Sequence, residues 1–192
     1  MFKSSFAVMA AAASVVFAVA CEQAATSPPE TTELGTPAPS FARHGVTQRR
    51  VTMMDACDPI TFNAAFGPGT CVRNGGVTVD RFVAQLVKHQ KAGGWFFAPK
   101  QMSAKVGDAL LAVNRGGEFH TFTEVAQFGG GFIDDLNQLA GTPIPAPECL
   151  TLGGGDFVPP DGTFPESVSG PPGERFFMCC IHPWMRTTVV AR

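Results

Sequence analysis

The chain has 192 residues, a net charge of −2 and only 16% charged side chains. This composition excludes a strongly basic nucleic-acid-binding surface and a long acidic tail. Hydrophobic residues make up 45% of the chain, which also holds 21 Gly, 16 Pro and 17 Phe but no Tyr. A chain that is apolar yet rich in turn formers is typical of a loop-rich β protein with a substantial core.

The first twenty residues predict an export signal. Lys3 precedes an apolar stretch at residues 6–20, which is too short to span a bilayer and matches the core of a signal peptide. The letters AVAC at residues 18–21 fit an ordinary signal-peptidase site and also resemble a lipobox, whose cysteine becomes lipidated. Both interpretations predict cleavage of the chain before Cys21. We therefore expect residues 1–20 to be a signal peptide and the mature protein to be periplasmic or at the cell surface, either lipidated on Cys21, which we favour, or simply secreted.

Residues 21–50 differ in composition from the rest of the chain. Pro, Ser, Thr, Ala and Glu dominate this segment, and large apolar side chains are almost absent from it. Such a segment cannot bury enough apolar surface to fold. It predicts a tether between a lipid anchor and a folded domain, with His44, Arg49 and Arg50 as solvated residues.

The folded domain is expected over residues 51–192. A domain of this length buries most of the surface that its unfolded chain exposes, so it needs no metal in order to fold. Apolar residues recur with helical spacing after Thr78, an N-cap residue, and the pattern stops at Gly93. This spacing predicts one amphipathic helix at residues 79–91. His89 lies at its polar end and is interpreted as a surface residue.

After this helix, short apolar segments alternate with Gly and Pro clusters, which is typical of strands in a β-sandwich. We expect these strands at residues 95–97, 102–106, 108–113, 119–125, 175–179 and 187–191. A long Pro/Gly-rich connection runs from residue 126 to residue 173. Within it we expect one short helical turn, near residues 134–139.

Chemistry-bearing side chains concentrate between the last two predicted strands. Cys179, His182 and Met185 form a Cys-x-x-His-x-x-Met sequence. A thiolate, an imidazole and a thioether suit a copper ion that cycles between Cu(I) and Cu(II), and the usual set needs one further imidazole. His120, at the start of a predicted strand, is the well-placed candidate. The alternatives are that Cys179 and Met185 are plain core residues, or that Cys179 and Cys180 form a redox thiol pair.

At these residues the chain resembles the cupredoxin family, and most closely its amicyanin group. The final segment shows the amicyanin spacing at Gly173, Cys179, His182, Pro183, Trp184, Met185 and Arg186, followed by a valine-rich strand. Val106, Gly107, Asp108, Asn114, Arg115 and His120 also follow that spacing. The resemblance covers residues 97–120 and 173–191; residues 51–94 and the long connection lie outside it.

The resemblance implies an all-β Greek-key sandwich with one type 1 copper ion, to which this chain adds the helix and the long connection. The implied ligands are His120 Nδ1, Cys179 Sγ, His182 Nδ1 and, more weakly, Met185 Sδ. It also implies a protein that carries single electrons and is not an enzyme. Its partner would be a periplasmic or membrane redox protein, such as a c-type cytochrome or an oxidase, and not a nucleic acid.

Two further expectations follow from the resemblance. In the family, the imidazole corresponding to His182 is an exposed edge in an apolar patch, to which Pro183 and Trp184 could contribute here. The residue after the first histidine is usually Asn in amicyanin and ties the two ligand loops together. Here that residue is Thr121, whose hydroxyl is able to replace the Asn side chain in such a bond.

The six cysteines are assigned to three roles: copper ligand, lipid attachment and disulfides. Cys179 fits the ligand position better than Cys180, because only a two-residue gap to the histidine matches the family loop. Assigning Cys21 to lipid and Cys179 to copper leaves four cysteines, which allow three pairings outside the cytoplasm. We favour Cys57–Cys71 together with Cys149–Cys180.

Other motifs do not support an enzyme. The Gly runs at residues 129–131 and 153–155 are interpreted as turns, because no phosphate-binding sequence follows them. The acidic residues are interpreted as solvated charges, since no positioned nucleophile accompanies them; they are Glu118, Glu124, Asp134 and Asp135. Two alternative functions remain: copper binding or delivery without fast electron transfer, and a structural or adhesive sandwich whose metal site is empty.

Overall fold

The computed structural model of the protein describes residues 47–192. The predicted signal peptide, the lipidation site Cys21, His44 and all but the last four residues of the predicted tether lie outside the described residues. Within residues 47–192, none of the helices is both long enough and apolar enough to cross a bilayer.

Strands dominate the described part of the chain. They are β1 (Gln48–Met54), β2 (Phe96–Ala98), β3 (Gln101–Ala104), β4 (Ala109–Asn114), β5 (His120–Thr121), β6 (Thr123–Val125), β7 (Phe157–Val158), β8 (Thr163–Ser167), β9 (Gly173–Met178) and β10 (Arg186–Ala191). The helices are α1 (Pro59–Phe66), α2 (Val79–His89) and α3 (Asp134–Leu139), and two 3-10 turns occur at Pro147–Leu150 and Gly154–Asp156.

The strands form two four-stranded mixed sheets, in the orders β2-β1-β4-β8 and β3-β10-β9-β6, and β5 pairs with β7 separately. The β1–β4 and β3–β10 pairs are parallel and the other pairs are antiparallel. One buried cluster joins Val51 and Leu110 of the first sheet to Phe177 and Val189 of the second. This architecture is mostly β, with few helices, and is consistent with the predicted sandwich.

The first strand begins inside the segment that the sequence assigned to the tether. Gln48, Arg49 and Arg50 pair with β4, and the Arg49 guanidinium lies 3.5 Å from the carboxylate of Asp108. Their side chains are exposed, so no apolar pattern marks them as a strand. Backbone pairing, which composition does not reveal, extends the domain by these residues.

The predicted amphipathic helix is α2, which ends two residues earlier than expected. Thr78 is its N-cap, with the hydroxyl accepting from the Arg81 N–H. Gln90 ends the helix because its backbone is left-handed, with φ of 56°. Phe82 and Leu86 are buried on its inner face. The predicted helical turn at residues 134–139 is α3.

Helix α1 is not predicted by the sequence analysis. Asp58 caps it by accepting from the Thr61 N–H at 2.9 Å, and Pro59 occupies its first turn. The helix has apolar residues on more than one face, so no helical periodicity identifies it. Its Phe62 ring stacks on Trp95 at 5.8 Å. We call residues 55–94, which contain α1, α2 and the Cys57–Cys71 disulfide, the helical cap.

Two other expectations differ from the structure. The strand predicted at residues 119–125 is two short strands, β5 and β6, which pair with different partners. The connection predicted from residue 126 to residue 173 contributes β7 and β8, and β8 extends the first sheet by pairing with β4. Both differences arise because pairing with distant strands determines where these short segments begin and end.

Replacing both Cys57 and Cys71 by Ala is expected to lower the free energy of unfolding by about 3 kcal/mol, because the loop closed by this disulfide gains entropy in the unfolded chain. The two cysteines are 14 residues apart. Urea unfolding of this variant and of the wild-type protein, both without reductant, measures the difference. Equal unfolding midpoints would contradict the expectation.

Candidate metal centre

Three buried side chains from two distant parts of the chain meet at one point. The Sγ atom of Cys179 lies 3.8 Å from Nδ1 of His120 and 3.8 Å from Nδ1 of His182. One ligand atom from each of the three residues lies within 4.8 Å of the other two. The structure therefore brings together three of the four side chains that the sequence analysis proposed as ligands.

The spacing of these atoms fits a single metal ion. Metal–nitrogen bonds of about 2.0–2.1 Å and metal–sulfur bonds of about 2.3 Å separate nitrogen and sulfur by about 3.5–3.8 Å when the ion is tetrahedral or trigonal. The observed separations of 3.8 Å match that range. Two imidazoles and one thiolate suit copper or zinc, and a weak thioether ligand, which Met185 is expected to supply, would favour copper.

The loop between β9 and β10 is closed by its own backbone. The Cys179 N–H donates to the Met185 carbonyl at 3.0 Å, and the Met185 N–H donates to the His182 carbonyl at 2.9 Å. The Met185 side chain is fully buried. These bonds hold Met185 in the same tight loop as Cys179 and His182, next to the strands that fix its two ends.

The second ligand segment is tied to this loop through Thr121. The Thr121 N–H donates to Cys179 Sγ at 3.4 Å, and the Thr121 hydroxyl accepts from the Cys180 N–H at 2.8 Å. Strand β5, which carries His120, pairs with β7. Thr121 thus makes a bond between the two ligand segments, as its position in the family pattern led us to expect.

Asp55, at the start of the helical cap, contacts the edge of the His120 ring that is opposite Cys179. Its Oδ2 lies 3.0 Å from His120 Nε2 and accepts from the Glu118 N–H, while its Oδ1 accepts from the Gly117 N–H, both at 2.9 Å. Burial by itself would raise the pKa of Asp55, but the hydrogen bond to His120 and the two backbone donors lower it to about 2. Burial would likewise lower the pKa of His120, but Asp55 and Cys179 raise it to about 9.

Glu118 lies close to the second imidazole. Its Oε2 is 3.8 Å from His182 Nε2 and accepts a short hydrogen bond from the indole N–H of Trp95. Only 7% of Glu118 is exposed, so the interpretation of this residue as a solvated charge is wrong. Burial raises its pKa above the ordinary value, although His182 and Trp95 oppose that shift.

His182 is not an exposed edge. Only 3% of this residue is exposed, and Pro183 is buried as well, so the expectation of a solvent-facing imidazole is wrong. The ring lies 5.5 Å from that of Trp184 and 6.5 Å from that of Trp95. Trp184, which is half-buried, also contacts Phe82 of α2. Trp95 and Trp184 thus cover this ligand, and the helical cap, which lies outside the family resemblance, packs against Trp184 through Phe82.

Both disulfides favoured by the sequence analysis, Cys57–Cys71 and Cys149–Cys180, are present, and Cys179 is a free, buried cysteine. Cys57 also lies near the carboxylates of Asp55 and Glu118. Because its sulfur is held in a disulfide, that group is not a second thiolate site.

The Cys179 sulfur carries a negative charge in this cluster. Burial alone would raise the pKa of this thiol, but hydrogen bonds and charges from both imidazoles lower it well below 9. Together with the raised pKa of His120, this describes a thiolate next to an imidazolium when no metal is bound. Metal ions bind the thiolate, so the site holds its sulfur in the reactive form.

Sequence reasoning missed the two carboxylates for different reasons. No motif surrounds Asp55, which is 65 residues from His120 and reaches it only through the fold. Glu118 lies in a bend two residues before His120, and nearness in sequence to a proposed ligand is its one local signal. Its burial depends on Trp95, which is 23 residues away in the sequence.

No protein-family model and no curated protein matches the chain. Solved structures that it resembles include a purple cupredoxin from Nitrosopumilus maritimus, with 16% identity over 53% of this chain and 86% of that chain and a TM-score of 0.38. Others are plastocyanin from Dryopteris crassirhizoma (19% identity, 52% and 91%, TM-score 0.36) and the M98A mutant of amicyanin in its Cu(I) form (18%, 50% and 73%, TM-score 0.34). At these scores the similarity carries no assignment of function.

In the metal-free protein, the thiolate absorbance of Cys179 near 240 nm is expected to persist well below pH 9. The physical reason is that His120 and His182 stabilise the charged sulfur. An ultraviolet pH titration of the wild-type protein, with that of Cys179→Ser subtracted, isolates this thiol from all others. A difference signal that appears only above pH 9 would show that the imidazoles do not stabilise the thiolate.

Replacing Thr121 by Val is expected to cost about 1–3 kcal/mol of unfolding free energy, because the buried Cys180 N–H then lacks an acceptor. Thr121→Ser keeps the hydroxyl and should recover most of that loss. Thr123→Val is the matched control, since the Thr123 hydroxyl only donates to Thr121 at 3.1 Å. Equal unfolding free energies for Thr121→Val and Thr123→Val would contradict this role of Thr121.

Proposed function

We propose that this chain is an exported type 1 copper protein that carries single electrons between redox partners and is not an enzyme. The observation that supports this function is the buried cluster of two imidazole nitrogens and one cysteine sulfur, each nitrogen 3.8 Å from the sulfur. Two histidines and a cysteine with a weak methionine ligand are the donor set of blue-copper electron-transfer sites. His120, Cys179 and His182 would hold the ion, and Met185 would be its weak fourth ligand.

Bound copper supplies a one-electron couple between Cu(I) and Cu(II). The chain supplies ligands that are held in place in the structure. Cys179 and Met185 are joined backbone to backbone, and Thr121 fixes the distance between the loop and β5. Ligands held by such contacts rearrange little when the charge of the ion changes, and hydrogen bonds to the sulfur tune the potential.

The electron path in this proposal passes through Trp184. The indole lies between His182 and a cleft of about 290 Å³, and it is the half-buried aromatic residue in contact with that imidazole. Lys91, Lys100 and Arg186 line the same cleft. Since these residues are cationic, a partner with an acidic docking surface fits this side of the molecule.

The cellular setting is part of the proposal. The signal peptide predicted at residues 1–20 and the lipidation predicted at Cys21 lead us to propose a protein tethered at a membrane outside the cytoplasm. Two disulfides agree with an oxidising compartment. The partner would then be a periplasmic or membrane redox protein, such as a c-type cytochrome or an oxidase.

One observation favours a second candidate function. His182 is covered by aromatic side chains and is only 3% exposed, so little of the imidazole is open to direct contact with a partner. Burial of this kind suits a protein that binds or delivers copper without rapid electron exchange. Stopped-flow mixing of the reduced protein with an oxidised c-type cytochrome separates the two functions, because the second predicts tight Cu(I) binding with slow electron transfer.

The proposed function predicts an intense visible charge-transfer band and a narrow copper hyperfine splitting when Cu(II) is added to the purified chain. Both signals arise from the Cu–thiolate bond and should disappear in Cys179→Ser. Visible and EPR spectra of the two proteins measure this, and metal analysis of the protein as purified shows whether the site is filled. A band that survives in Cys179→Ser would contradict the proposal.

A further inference from the structure

A carboxylate from outside the ligand motifs faces the metal centre. Asp55 Oδ2 lies 3.0 Å from Nε2 of His120, which is the nitrogen opposite the one that faces Cys179. Both side chains are at least 99% buried. Asp55 follows β1 and begins the helical cap, so it reaches the centre from a part of the chain that supplies no ligand.

The position of this carboxylate is fixed by several donors. The N–H groups of Gly117 and Glu118 donate to its two oxygens at 2.9 Å, and the N–H of Cys57 contributes a longer bond of 3.4 Å. Gly116 passes so close that a Cβ atom there would lie 1.8 Å from Asp55 Oδ2. The backbone before His120 is therefore shaped around this one acidic side chain.

Glu118 is not equivalent to Asp55, although it faces the second imidazole. Its oxygen is 3.8 Å from His182 Nε2, beyond hydrogen-bond distance, and already accepts from Trp95. The direct carboxylate–imidazole contact in this cluster is thus the one between Asp55 and His120. A carboxylate bonded to the remote nitrogen of a ligating histidine fixes the ring and increases its basicity.

We propose that Asp55 is a positioning residue that orients His120 and lowers the reduction potential of the copper centre. This inference rests on the proposed function. The buried negative charge attracts Cu(II) more strongly than Cu(I), because the oxidised ion carries one more positive charge and the surroundings screen it poorly. The more basic imidazole acts in the same direction, since it is a better donor to the oxidised ion.

The test compares the midpoint potentials of loaded proteins by spectroelectrochemistry. Asp55→Asn keeps an oxygen that accepts from His120 Nε2 but removes the charge. We expect it to shift the ratio of Cu(I) to Cu(II) affinities by at least about tenfold toward Cu(I), which raises the potential by about 59 mV or more. Asp55→Glu retains the charge and should stay closer to the wild-type potential than Asp55→Asn does.

Asp108→Asn is the matched control for loss of a buried carboxylate. Asp108 accepts from the Lys105 and Thr47 N–H groups and pairs with Arg49, away from the ligands, so its removal should leave the potential unchanged. If Asp55→Asn does not fold, Asp55→Ser, which is smaller and also uncharged, takes its place with the same expected rise. The EPR spectrum of each variant shows whether the ligands are retained.

The outcomes distinguish the proposed role of Asp55 from the proposed function of the protein. A type 1 spectrum in the wild-type protein, with a raised potential in the uncharged Asp55 variants alone, supports the inference. A type 1 spectrum with equal potentials in the wild type, the uncharged Asp55 variant and Asp108→Asn overturns the inference and leaves the proposed function intact. A wild-type protein without a type 1 spectrum overturns both.

Discussion

The contact on which the metal centre depends is the approach of His120 to Cys179 across 59 residues of sequence. Cys179 and His182 are neighbours in one loop, so their distance is set locally. The third donor must be delivered by β5, a strand of only two residues. Such a short strand makes few hydrogen bonds with its neighbour. The hydrogen bonds from Thr121 to Cys179 and Cys180 connect it to the ligand loop. The geometry of the site thus depends on one threonine as much as on the sandwich around it.

The sequence predicts what local patterns determine. The Cys-x-x-His-x-x-Met spacing identifies the ligand loop, and the apolar periodicity after Thr78 identifies α2. It does not predict Asp55 or α1, because Asp55 acquires its role only through contacts between distant segments and α1 lacks an apolar stripe. The burial of Glu118 is likewise not predicted by local sequence. An acidic residue is usually solvated, and only the packing of Trp95 over it makes it a buried member of the site.

The aromatic side chains around His182 limit how a partner could reach the ligand loop. The family resemblance implies an imidazole that meets its partner directly, whereas here Trp95, Trp184 and Phe82 form an aromatic cluster at His182. A covered imidazole is shielded from water, which strengthens every electrostatic contact in the centre. The same cover lengthens the path between the ion and a partner. In the proposed function, electron exchange would then depend on the half-buried Trp184 and its cationic cleft.

The charges of Asp55, His120 and Cys179 show how the fold prepares this site for a cation. Without metal, a proton on His120 offsets one of the two negative charges on the Asp55 carboxylate and the Cys179 thiolate, which explains why the pKa of His120 rises to about 9 while that of Cys179 falls. Relative to the unfolded chain, the raised pKa adds a proton to His120 near pH 8, and the lowered pKa removes one from Cys179. The two changes have opposite signs, so they contribute little net pH dependence to stability in that range. Metal binding must displace the His120 proton, and the affinity of the centre for a metal ion therefore falls as the pH is lowered.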